Sequence, residues 1–128
     1  MNWFRAFLIA VTTTLATTAI GSPTRATYAQ DTCLHGPSET ADQAARRQAA
    51  LGFTRHVNTM QAQTSVKANT YVALRDLPLT RPVPDGFNLK LTTDGASYSF
   101  SVIDGTDPCR LGYFSNDAGV IYRGEALR

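Results

Sequence analysis

The sequence predicts an α+β domain in which one long N-terminal helix packs on a four-stranded antiparallel meander. Three observations predict it. Residues 41–77 hold no proline and a single glycine, Gly52, and repeat apolar residues at steps of three and four. From Phe87 onward the pattern changes to strict alternation. Turn residues then punctuate the chain at short intervals, with Asp-Gly pairs beginning at Asp85, Asp94 and Asp104.

The helix is expected over Ala41 to Leu77. Thr40 and Gln43 form a Thr-x-x-Gln capping box, and Asp42 suits the positive end of the helix dipole. Ala50, Phe53, Val57, Met60, Thr64, Ala68, Tyr71 and Leu74 share one face. Arg46, Arg47, Arg55, His56, Asn58, Gln61, Gln63 and Lys67 are assigned to the wet side. Pro78 supplies the stop, because the residue before a proline is pushed out of the α region. Two helices bent near Gly52 are the alternative.

Pro78, Pro82 and Pro84 make residues 78–84 an extended connector. Phe87, Leu89 and Leu91 then alternate with polar residues up to Asp94-Gly95, a two-residue hairpin signal. Tyr98, Phe100 and Val102 alternate with Ser97, Ser99 and Ser101, so this hairpin has one apolar and one hydroxyl-rich face. Leu111 to Ser115 reads as a third strand and Val120 to Arg123 as a fourth. The helix stripe is the cover available to the apolar side of such a sheet.

Residues 1–29 read as a secretory signal peptide. Arg5 precedes an apolar stretch, and Thr27-Tyr28-Ala29 offers small residues at a cleavage site after Ala29. Cleavage nearer Gly21, or retention as a membrane anchor, are the alternatives. Five threonines between positions 12 and 18 weaken the anchor reading. Removing residues 1–29 leaves 99 residues as a single domain. It takes Arg5 and Arg25 with it, leaving 10 basic against 10 acidic side chains. The net charge of +2 therefore belongs to the leader, and bulk charge gives no support to nucleic-acid binding.

Cys33 and Cys109 are the two cysteines of the chain, and in an exported protein an even pair reads as a disulfide. A reactive or metal-binding Cys33 beside His35 lacks a recognised ligand spacing. Asp104, Asp107 and Asp117 suggest calcium by residue type, but their spacing fits no twelve-residue calcium loop. No metal site and no cofactor is expected.

The chain resembles the globular head of type IV pilins and pseudopilins. The stretches that carry the resemblance are Ala44 to Leu51, Arg55-His56-Val57-Asn58-Thr59-Met60-Gln61, and Asn69 to Leu74 running into Leu77-Pro78. Tyr113 to Arg123 is similar to the final pilin hairpin. The apolar half-helix with which pilin subunits begin has no counterpart in this text, so the resemblance implies the head alone. It implies a non-enzymatic, secreted or periplasmic interaction module with an unknown protein partner, pilus or secretion-system components being the expected class. No nucleic acid, and no membrane after leader cleavage, is expected. A membrane-anchored minor pilin is one alternative. A small secreted hydrolase, built on His35 or His56, is the other. Candidate interaction residues are Arg46, Arg47 and Arg55 on the helix and Ser97, Ser99 and Ser101 on the sheet.

Overall fold

The computed structural model describes residues 33–125, so the expected signal peptide lies outside the described residues. The architecture is α+β: helix α1 (Ala41–Ala68), a 3₁₀ turn (Leu74–Asp76), and strands β1 (Phe87–Thr93), β2 (Tyr98–Asp104), β3 (Gly112–Asn116) and β4 (Tyr122–Gly124). The strands form one antiparallel sheet in the order β1-β2-β3-β4. The helix is not the first ordered element. Residues 33–40 precede it and are bound to the sheet end of the molecule by the Cys33–Cys109 disulfide.

Helix α1 starts where the capping box places it. The Gln43 N–H donates to Thr40 Oγ1, and the Thr40 N–H donates to Gln43 Oε1 at 2.8 Å. It runs without a break through Gly52. Ala50, Phe53 and Val57 are buried against Phe87, Tyr98, Phe100, Val102 and Tyr113 from the sheet. Alternation in the strands thus delivers one apolar face to one apolar stripe, as the two periods require.

The helix ends at Ala68, nine residues before the expected Leu77. Asn69 closes it in the left-handed conformation, φ 54°. The reason is a contact between the helix and the chain that follows it. Gln61, expected on the wet side, is fully buried. Its side-chain amide brackets Val72, donating to the Val72 carbonyl at 2.7 Å and accepting the Val72 N–H at 3.2 Å. The Tyr71 N–H donates to the Gly95 carbonyl. These bonds hold residues 71–72 extended and override the helical period. Tyr71 accordingly leaves the helix stripe and meets Tyr98 edge to face at 4.7 Å. Leu74 is exposed, and so is Ala68.

The first hairpin also departs from expectation. Thr93 pairs with Tyr98, so the connection is Asp94 to Ser97, four residues instead of two. The Asp94 carboxylate accepts the N–H groups of Ala96 and Ser97 and builds the wider turn. Strands β3 and β4 begin one and two residues later than expected.

Two stability predictions follow from this packing. Replacing both cysteines with serine removes a cross-link spanning 76 residues. The expected cost is about 4 kcal/mol and a fall in Tm of roughly 15 °C or more, read by calorimetry under non-reducing conditions. Gln61→Ala leaves the Val72 N–H and carbonyl without these partners. It should cost about 1–3 kcal/mol in denaturant unfolding, whereas Gln63→Ala on the exposed face should be near neutral.

Candidate functional site

Polar side chains gather in two places. The first is a buried cluster where residues 33–40, the first turns of α1 and the β2–β3 loop meet. His35 is buried, with Nδ1 2.7 Å from Glu39 Oε1 and Nε2 3.0 Å from Asp104 Oδ2. Asp104 is fully buried at the end of β2. Its carboxylate also receives Arg46 Nη2, the Thr106 hydroxyl and N–H, and the Asp107 N–H. Asp107 accepts the N–H groups of Leu34, Cys109 and Leu111. Backbone donors therefore fix both aspartates as loop caps. Asp117 lies apart in the β3–β4 turn, and no metal-holding group is found among the described residues.

Arg46 and Arg47 belong to this cluster and not to an open helix face. Arg46 Nη2 bonds Asp104, Thr106 and the Asp85 carbonyl, and its guanidinium stands 5.5 Å from the centre of the Phe87 ring. That approach needs Gly86, which has φ +81°; a Cβ there would meet Arg46 Nη2 at 2.7 Å. Arg47 is paired with Glu39 through Nε and Nη2, both at 2.9 Å. The helix period alone put both arginines in solvent, but their carboxylate partners stand off the helix.

The electrostatics agree with the geometry. The Arg47 bonds, helped by His35 and opposed by burial, hold the Glu39 carboxyl at about 2, well below its ordinary 4.5. Glu39 in turn raises the Arg47 guanidinium. Burial pushes Asp104 upward, yet the Thr106 bonds, His35 and Arg46 leave it below the usual carboxylate range. Among the described residues neither histidine is hydrogen-bonded to a serine or to a free cysteine. His35 has both ring nitrogens on carboxylates. His56 Nε2 stands 3.3 Å from both the Thr80 amide nitrogen and the Thr80 hydroxyl, and burial, with Arg81 nearby, lowers it and favours the neutral form.

Arg55 remains exposed, on a helix face it shares with Gly52, His56 and Thr59. Ser97 sits in the hairpin turn, where its hydroxyl donates to Asp94. Ser99 and Ser101 lie on the sheet face turned away from the helix, and Ser99 is bonded to Thr92 at 3.2 Å.

That face is the second polar site. Strand register aligns Lys90, Ser101, Phe114 and Tyr122 in one row across all four strands. Thr92, Ser99 and Asn116 form the next row. The two rows line a shallow groove of about 460 Å³. Phe114 is 40% exposed and Tyr122 60%. The Phe114 ring rests above two glycines: a Cβ at Gly112 would meet its Cζ at 3.1 Å, and one at Gly124 its Cε2 at 3.1 Å. Among the described residues, the side chains of Lys90, Ser101 and Tyr122 make no hydrogen bond or ion pair. The serine strip was visible in the sequence. Lys90, Phe114 and Tyr122 were not singled out there, although Phe114 occupies an outward slot between Gly112 and Asn116.

No protein family, no characterised protein and no solved structure matches this chain.

The cluster sets an acid limit on stability. Glu39 is depressed in the folded state, so its contribution is fully present above pH 4.5 and is lost as pH falls towards 2. Asp104 acts in the same direction. Tm should therefore fall through this window, and Glu39→Gln should lower Tm at neutral pH while flattening its decline between pH 4.5 and 2. Gly86→Ala should destabilise through both the left-handed backbone and the Arg46 contact, by about 1–3 kcal/mol.

Proposed function

We propose that the chain is an exported, non-enzymatic binding domain of pilin-head-like build, which engages its target through the open face of its sheet. The observation that carries this reading is the contrast between the two polar sites. In the buried cluster every acidic and basic group is held by a partner within the chain. On the open face Lys90, Ser101 and Tyr122 surround a groove with no such partner among the described residues. The disulfide is compatible with export, and no helix among the described residues is long and apolar enough to cross a membrane. The order of one long helix followed by an antiparallel meander agrees with the resemblance to pilin heads. It supports pilus or secretion-system components as the expected surroundings. Against the hydrolase alternative stand the two carboxylates that hold both ring nitrogens of His35, and His56, whose Nε2 meets the Thr80 N–H and hydroxyl without a carboxylate partner among the described residues to orient the ring.

A photo-crosslinking residue tests the face. Placed at Ser99 in cells, p-benzoylphenylalanine should give a covalent adduct, whereas the same residue at the exposed helix position Gln63 should not. Adducts from Gln63 alone, or from neither site, would refute the binding face. Mass spectrometry of the exported chain should find Gln30 as the first residue; an intact Met1 end would favour the anchored alternative.

A further inference from the structure

We infer that the ligand of the open sheet face is an acidic saccharide, its rings stacked on Phe114 and Tyr122 and its carboxylate held by Lys90. The inference rests on the reading of this face as the binding site and names the chemistry that fits it.

The row Lys90–Ser101–Phe114–Tyr122 crosses four strands, or roughly 14 Å at the usual strand spacing. Its two aromatic side chains adjoin on neighbouring strands, and the hydroxyl of Ser101 and the ammonium of Lys90 follow on the other side. Aromatic faces carry negative potential and attract the polarised C–H groups of a sugar ring. The hydroxyls and amide of Ser101, Thr92, Ser99 and Asn116 can each donate and accept, which suits the hydroxyl rim of a sugar. Lys90 is the charged residue of the groove, and it has no ion-pair partner among the described residues. An anionic ligand complements it. Asp94 and Asp117 lie beyond the Thr92–Ser99–Asn116 row, against a neighbouring depression. They would direct a carboxylate away from that side and towards Lys90.

Other ligand classes fit less well. A peptide adding to a sheet uses strand edges, whereas this site lies on a face whose backbone groups are already paired. A nucleic-acid strand requires a track of cations, and the groove supplies one. An apolar protein surface would leave the Lys90 ammonium and the Ser101 hydroxyl buried without partners.

The test is titration of the ¹⁵N-labelled full domain with oligomers of galacturonate, glucuronate and mannuronate, each beside its neutral methyl ester. Amide shifts at Lys90, Ser101, Phe114 and Tyr122 with at least one acidic oligomer are expected. Tyr122→Ala should weaken that binding about tenfold. Lys90→Gln should weaken it about threefold and reduce its salt dependence. Val120→Ala, an exposed apolar truncation outside the row, should change neither. Absence of shifts with every oligomer, or equal binding of acid and ester, overturns the inference. The Ser99 cross-link separates that failure from failure of the binding face. A protease-sensitive adduct would then keep the face and make its ligand a polypeptide; no adduct would remove both.

Discussion

The carboxylate of Asp104 is the constraint on which the rest of the fold depends. A fully buried charge is costly unless its oxygens are bonded. Here they receive the imidazole of His35, the guanidinium of Arg46 and the loop donors of residues 106 and 107. Those donors come from the segment before the helix, from the helix itself and from the loop after β2. One group therefore sets the position of three pieces of chain that share no backbone hydrogen-bond ladder. Apolar packing of Ala50, Phe53 and Val57 decides that the helix lies on the sheet. The ionic cluster adds a directional constraint on where along the sheet its first turns lie.

The parts of this arrangement that depend on near neighbours were legible in the sequence. Thr40 and Gln43 are three residues apart, so their reciprocal cap could be read directly. The apolar steps at Ala50, Phe53 and Val57 and the alternation from Tyr98 to Val102 are likewise local patterns. The cysteine pairing followed from the even count together with the expectation of export. The helix end was not legible. It depends on Gln61 recognising the backbone of Val72, and a glutamine at a helical position looks like any solvated residue. The same holds for Arg46 and Arg47, whose partners stand 58 and 8 positions away. Charge pairing with groups off the helix overrode the helical-wheel assignment in both cases.

The sheet divides its polar side chains unequally between its faces. Towards the helix, Ser115 receives the Asn58 amide and donates to the Val120 carbonyl, and the Tyr98 hydroxyl donates to Asn58. Towards solvent the side chains of Ser101, Lys90 and Tyr122 have no hydrogen-bond or ion-pair partner among the described residues. An outward phenylalanine is unremarkable in a linear text. Register makes it conspicuous, because it places Phe114 between Ser101 and Tyr122 and over Gly112 and Gly124. The candidate site is thus a property of strand alignment, and alternation alone could disclose only its serines.

The disulfide has a mechanical consequence. Cys33 and Cys109 lie 76 positions apart in sequence, so the helix, its connector and the first hairpin all fall inside one covalent loop. A pull applied between the flanking chain at residue 33 and the chain after β4 passes across the sulfur bridge to Cys109. It then acts on β3 and β4, while the elements inside the loop carry no tension along their backbone. Under load the two short C-terminal strands are the part that peels, and the helix with β1 and β2 stays folded as a tethered unit. The bridge therefore confines extension under such a load to the chain beyond residue 109.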